Sequence, residues 1–293
     1  MLSTHEPEAA RAEMGAADSV IEGRGLVKRF GRADALIGRN GAGKSTLIQM
    51  ILGMFDVGGG SLRVLGGDPG RDGPALRQRI GYIPERLPMY DWMSVAEILG
   101  FVRPLYARWS RESEEGLIAR FRLPLAQRVG ALSRGQRALL ALVIAMAHDP
   151  ELVLLDECTS GMDAIARREF ERSVIDALAA SGRTVLFASH QMGEIERLCD
   201  WVGVVHEGRM LVEMPLEALK ESVVQVRVAG LDVAPPAWPG IDILARREMG
   251  RESLLTLRRT RGGLSLPGAA VVEEVPLSLE EIFVALVGEE EAQ

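Results

Sequence analysis

GRNGAGKS, residues 38–45, fits the pattern G-x-x-x-x-G-K-[ST] and lies between a short apolar run, Ala35-Leu36-Ile37, and a helix-like run over residues 46–52. A strand, a loop and a helix in that order are the setting in which the pattern works as a phosphate cradle. Glycines at 38, 41 and 43 let the backbone turn where a Cβ would clash, so successive N–H groups can converge on an anion. The helix that follows adds its positive N-terminal end. Lys44 supplies a mobile cation for outer phosphates, and the Ser45 hydroxyl is an oxygen ligand hard enough for magnesium. A glycine-rich turn that only happens to precede a lysine is the plainer reading, and residues farther along the chain weigh against it.

Outward from the loop, residues 20–30 (VIEGRGLVKRF) read as a first strand with a glycine interruption. Gly53 suits a helix C′ position, and glycines at 58–60 and 66–67 punctuate a short strand at 61–65. A strand at 80–83 runs into Pro84-Glu85. From Trp92 to about Val129 the texture changes: Ser94 and Glu97 have capping-box spacing, apolar residues recur at helical intervals, and Pro104 and Pro124 break the run. This predicts a small helical lobe over 92–129. LSRGQ, residues 132–136, opens a long apolar helix, and Leu152-Val153-Leu154-Leu155 reads as a central parallel strand ending in Asp156-Glu157. SGMD, residues 160–163, turns the chain into a helix over 164–180, a buried strand spans 184–188, and His190 follows it. Strands at 201–205 and 209–213 flank Glu207-Gly208, a hairpin signal. Beyond about Lys220, strands at 223–228, 254–258 and 270–275 and a helix at 279–287, with Ser278 and Glu281 at capping-box spacing, predict a small second domain.

The composition sets limits. The chain has 293 residues, 47% of them hydrophobic, enough for one full α/β domain and a smaller appendage. A formal charge of −7 argues against a sequence-independent nucleic-acid binder, which needs clustered cations, so no nucleic-acid partner is expected. The two cysteines, Cys158 and Cys199, lack C-x-x-C spacing, which points to reduced thiols rather than a zinc site. Residues 1–18 lack the basic and apolar regions of a signal peptide and read as a disordered tail. The most apolar run, ALLALVIAMA at 138–147, is far short of the ~20 residues of a membrane span.

Two acids at the end of a buried strand, in the same fold as a phosphate cradle, divide their work. Asp156 suits a magnesium ion held through its water shell, and Glu157 suits a base that orients water for attack on a γ-phosphate. Isolated, such a pair would be a solvated strand end. His190, after a neighbouring strand, could reach the same phosphate or its attacking water, although a single histidine at a strand end usually has no such role. Ser133 and Gln136 have the spacing of a plain capping box. With Gly135 permitting close approach, the same helix start could equally offer a second anion site. The residues alone leave both readings open.

Taken in order, these stretches resemble the nucleotide-binding subunit of an ABC transporter over residues 20–213. GRNGAGKS resembles the Walker A loop, LSRGQ the family signature, LVLLDE (152–157) the Walker B strand, SGMD the D-loop, and His190 the switch histidine. The resemblance implies an α/β fold: a P-loop NTPase core with a mostly parallel sheet, a helical subdomain and a small α+β C-terminal domain. It divides the chain into an ATP-binding domain over 19–219 and an accessory domain over 220–293. It implies that Asn40, Gly41, Ala42, Gly43, Lys44, Ser45 and Thr46 bind ATP, that Phe30 stacks on adenine, and that Ser45, Asp156 and Glu85, the last at the Q-loop position, serve magnesium. Ser133, Gly135 and Gln136 would act across a head-to-tail homo- or heterodimer on the partner's ATP, and the helical lobe would dock a separate transmembrane permease. Such a subunit is cytoplasmic and peripheral on the inner face of the membrane. The ending SLEEIFVAL at 278–286 is similar to ATPase subunits of bacterial ABC exporters.

Three departures stand out. Phe30 and Gly38 are separated by seven residues where the family has ~20 more. Glu85 replaces a glutamine, and Cys158 replaces the proline after the catalytic glutamate. The short link keeps open a cassette that does not hydrolyse ATP and serves as an interaction subunit. A soluble ABC ATPase is the other alternative, but such proteins carry paired cassettes or a long coiled-coil insertion, and this chain has neither.

Overall fold

The computed structural model describes residues 21–24, 28–29, 33–179, 183–229, 238, 240–259, 266 and 270–288. Phe30, the tail over 1–18 and the acidic run at 289–291 lie outside the described residues. In chain order the strands are β1 (Ile21–Arg24), β2 (Lys28–Arg29), β3 (Ala33–Ile37), β4 (Ser61–Val64), β5 (Ile80–Ile83), β6 (Leu152–Asp156), β7 (Thr184–Ser189), β8 (Trp201–His206), β9 (Arg209–Pro215), β10 (Val223–Ala229), β11 (Ile241–Met249), β12 (Glu252–Arg259) and β13 (Ala270–Pro276). The helices are α1 (Lys44–Ile51), α2 (Pro69–Arg77), α3 (Val95–Val102), α4 (Arg111–Phe121), α5 (Arg134–Met146), α6 (Ala164–Ala179), α7 (Met192–Leu198), α8 (Leu216–Ser222) and α9 (Leu279–Val287). Among the described residues no helix is long and apolar enough to cross a membrane.

The residues form two compact units. The first combines the described residues up to Asp34 with Ser45–Ala188, and its centre is a parallel trio in the order β5-β6-β7. β6 pairs on both sides, and Leu152 to Leu155 are at most 1% exposed, as a strand covered on both faces requires. The first strand expected over 20–30 is corrected by this unit: β1 and β2 are separate strands paired antiparallel, Glu22 opposite Arg29, and β1 also pairs antiparallel with β4.

Helix ends in this unit follow their local chemistry. α1 closes in a Schellman motif: Gly53, at φ +63°, donates its N–H to the Met50 carbonyl, and the Met54 N–H reaches the Gln49 carbonyl. α3 starts in the capping box of Ser94 and Glu97. In the helical lobe the buried Glu114 of α4 accepts from Arg103 at 2.7 Å and from the Trp109 indole, which ties the 3-10 turn after α3 to α4.

The second unit combines Ala35–Lys44 with the described residues from Ser189 on. In it β3 lies beside β8, and β8 pairs antiparallel with β9 through a turn whose central residues, Glu207 and Gly208, have φ of +46° and +71°. Two left-handed residues make this the tight hairpin turn that matches strand twist. A four-stranded antiparallel sheet in the order β11-β12-β10-β13 follows, its core formed by Val224, Val226 and Val228 facing Leu255 and Leu257, with Trp238 packed on them. α9 starts in the capping box of Ser278 and Glu281, and Glu196 of α7 receives both the Leu279 N–H and the Lys220 ammonium of α8.

Candidate functional site

The loop of the second unit is shaped by two close approaches. Gly38 follows β3, and a Cβ there would come within 2.5 Å of the Val205 carbonyl oxygen on β8. The Gly208 N–H of the β8–β9 turn donates to the Ala42 carbonyl at 3.0 Å. Gly41 and Gly43 have φ of +84° and +106°, a region that excludes residues with a Cβ at little cost. Lys44 begins α1, 5% exposed, and its ammonium donates to the carbonyls of Gly38 at 2.7 Å and Arg39 at 3.2 Å. The cation is thereby held inside the loop. Asn40 and Gly41 are exposed, Ala42 is buried, and Thr46 is exposed. Gly38→Ala is expected to lower stability by about 1–3 kcal/mol through overpacking against β8, read from denaturant unfolding. An unchanged midpoint would show that the strand yields instead.

In the first unit, the residue after Lys44 meets the first of the two acids. The Ser45 hydroxyl donates to Asp156 Oδ1 at 3.1 Å across 111 residues of chain. Asp156 is 4% exposed at the end of β6, and its charge acts on the Tyr82 hydroxyl of β5. Burial pushes the Tyr82 hydroxyl up to about 12, with the Asp156 charge acting in the same direction. Tyr82 was not among the residues singled out from sequence. Only its register marks it: Tyr82 pairs with Leu154, two residues before Asp156.

Glu157 is 7% exposed at φ +50°, with its N–H bonded to the Ala188 carbonyl at 2.9 Å. A glutamate in the left-handed region costs of order 1 kcal/mol and persists where surroundings impose it. Cys158, next in the chain, is 1% exposed. Glu85 stands exposed past the end of β5. In the second unit His190 is exposed directly after β7, two residues beyond Ala188, the register partner of Asp156.

At the start of α5 the capping box is formed: Ser133 Oγ accepts from the Gln136 N–H at 3.2 Å, and the Gln136 side chain accepts from the Ser133 N–H at 3.0 Å. Gly135 has its own packing reason, since a Cβ would lie 2.9 Å from the Ala166 Cβ of α6. Asp163 caps α6, accepting from the N–H groups of Ile165 and Ala166 at 2.9 Å each, and those two bonds hold its carboxyl below the ordinary value.

The ABC transporter family model matches residues 29–160 of this chain. Nod factor export ATP-binding protein I of Rhizobium sp. is 33% identical over 284 residues, which cover 92% of this chain and 93% of the relative. The chain belongs to the ABC transporter ATP-binding family. ABC transporter ATP-binding protein YtrB of Bacillus subtilis is 26% identical over 284 residues, with 92% of this chain and 94% of the relative covered. A solved structure titled as the ATP binding subunit of an ABC transporter superposes with a TM-score of 0.62 at 25% identity, over 69% of this chain and 92% of that one. The α/β architecture, with its P-loop and parallel strands, is the one shared by ABC ATP-binding subunits. ABC ATP-binding domains bind ATP and as a class are ATPases, and ABC ATP-binding subunits typically work with a membrane permease.

Proposed function

We propose that this chain binds and hydrolyses MgATP at a head-to-tail dimer interface and thereby drives export through a separate membrane permease. The observation that carries the reading is the bond from Ser45 to Asp156. A serine whose proton is given to a carboxylate keeps its lone pairs for a hard cation, and magnesium takes one or two protein oxygens together with nucleotide phosphates and water. Bound magnesium would neutralise charge on the transferred phosphoryl group.

In this reading Lys44 and the N–H groups of residues 40–46 hold the phosphates, and Asp156 orients the metal with Glu85 in support. Glu157 takes the proton of the attacking water, and His190 steadies the γ-phosphate. Ser133, Gly135 and Gln136 complete the site of the partner copy. Phe30 is assigned to the adenine. The ATP-binding domain spans 19–219 and the accessory domain 220–293. The experiment is ATPase rate per chain against protein concentration, which is expected to rise with dimer formation. A constant rate would remove the dimer from the mechanism, and no rate at any concentration would favour the non-hydrolysing cassette.

The helical lobe is assigned to the permease. Support comes from its surface: Tyr90, Trp92 and Phe101 are 51%, 66% and 47% exposed, and Tyr90 packs against the other two rings with centroids 5.9 and 5.7 Å apart. Exposed apolar clusters of this kind mark interaction sites. Trp92→Ala is expected to reduce co-purification of a polytopic membrane protein by about tenfold or more while ATP binding persists. Undiminished recovery would move the docking surface elsewhere. Through such docking the chain is peripheral on the cytoplasmic face.

A further inference from the structure

We propose that Ser189 and Glu194 are positioning residues for His190: together they lock the turn that carries it, so that the imidazole is held in one place before nucleotide arrives. This rests on the function proposed above, in which His190 steadies the γ-phosphate, and adds two residues to it. Ser189 ends β7 and is fully buried. Its Oγ accepts the Gln191 N–H at 3.0 Å, and its hydroxyl donates to Glu194 Oε2 at 3.3 Å. A serine that bonds the N–H two residues on closes a turn around the residue between them, here His190. The Glu194 N–H donates in turn to the Gln191 carbonyl at 3.0 Å. Three bonds thus fix the backbone beside His190, which is itself exposed.

Capping α7 does not account for this arrangement. Glu97 and Glu281, which cap α3 and α9, are exposed, whereas Glu194 in the first turn of α7 is 2% exposed. Among the described residues Gln191, at the N-cap position, makes no side-chain capping bond to α7. A carboxylate gains little stability by moving into the interior, because lost hydration offsets the bonds it makes there. What burial adds is fixed geometry: a hydroxyl that gives its proton to a carboxylate and a lone pair to an N–H cannot turn. The Cα–Cβ direction of His190 follows from that backbone, and little ordering remains to be done when a phosphate binds.

The test measures steady-state ATP hydrolysis by the full chain, as kcat and KM. Ser189→Ala removes one oxygen and leaves the strand end filled; it is expected to lower kcat about 10–100-fold and to leave the KM for ATP within about twofold. Glu194→Gln, whose amide oxygen still accepts from Ser189, is expected to keep kcat within about threefold of wild type. In a His190→Ala background Ser189→Ala is expected to add no further loss, because the serine acts through the histidine. Wild-type kcat in Ser189→Ala would overturn the inference and leave the ATPase reading standing. A further loss on top of His190→Ala, or a parallel rise in KM, would overturn it as a packing defect. A loss in Glu194→Gln as large as that in Ser189→Ala would overturn it by making the charge, not the bonded turn, what matters. A wild-type chain that hydrolyses no ATP, or full activity in His190→Ala, would overturn it together with the role of His190 beneath it. Glu194→Met, which fills the space without an acceptor oxygen, carries the outcomes of Ser189→Ala should that variant not fold.

Discussion

Glu157→Gln is expected to bind MgATP as tightly as wild type and to hydrolyse it about 10²–10⁴-fold more slowly, the usual loss when a general base is removed. The substitution keeps the size and hydrogen-bonding shape of the side chain, so the buried position after β6 remains filled. The backbone at φ +50° is imposed by the bonds from the Glu157 N–H to Ala188 and from the Ser160 N–H to the Glu157 carbonyl, and glutamine leaves both intact. The effect is therefore chemical rather than structural. Single-turnover hydrolysis beside equilibrium binding separates the two. Wild-type turnover in the variant would take Glu157 out of the role and leave the water to another group.

Lys44→Ala is expected to weaken ATP binding by about 2–5 kcal/mol, about thirtyfold to several thousandfold, because it removes one partner from a desolvated charge pair with the phosphates. The structure sharpens this expectation. The ammonium is held inside the loop by the Gly38 and Arg39 carbonyls, so it is in place before any ligand arrives and little ordering remains to be done on binding. The same bonds mean that alanine also loosens the loop, so far-ultraviolet circular dichroism and thermal unfolding belong beside the nucleotide titration. A folded variant with wild-type affinity would show that backbone N–H groups suffice.

The core of this fold was legible because its signals are local and strong. Residues 80–83 and the apolar run ending at Asp156 are strands at the expected positions, and Glu207-Gly208 is the expected tight turn. The Ser94, Ser133 and Ser278 capping boxes all formed, since serine and a glutamate or glutamine three residues on satisfy helix-end N–H groups whatever the tertiary context.

What escaped had weak or misleading local signals. α2 (PGRDGPALR) has two prolines and two glycines, the composition of a loop, yet Asp68 caps it and a proline at its first position costs no hydrogen bond. β11 (IDILARREM) shows no alternation of apolar residues because among the described residues it is an edge strand, paired with β12, and none of its residues is buried. The cradle strand begins two residues before the apolar run and takes in Asp34, which is 2% exposed and breaks the hydrophobic pattern.

The site divides the same way. The loop and the acid pair announce themselves by residue type and spacing, but Tyr82 does not. An aromatic residue in an apolar strand reads as core, and only the pairing of β5 with β6 places Tyr82 on the same face as Asp156. Contacts set by strand register between segments ~70 residues apart leave no trace in either segment alone.

Calorimetric titration of the purified chain with MgATP and with ATP in EDTA decides whether the loop at residues 38–45 holds the terminal phosphates of a nucleotide whose magnesium is served by Ser45 and Asp156. One nucleotide per chain is expected, with tighter binding when the metal is present. No saturable binding at millimolar MgATP, or binding indifferent to magnesium, would contradict it.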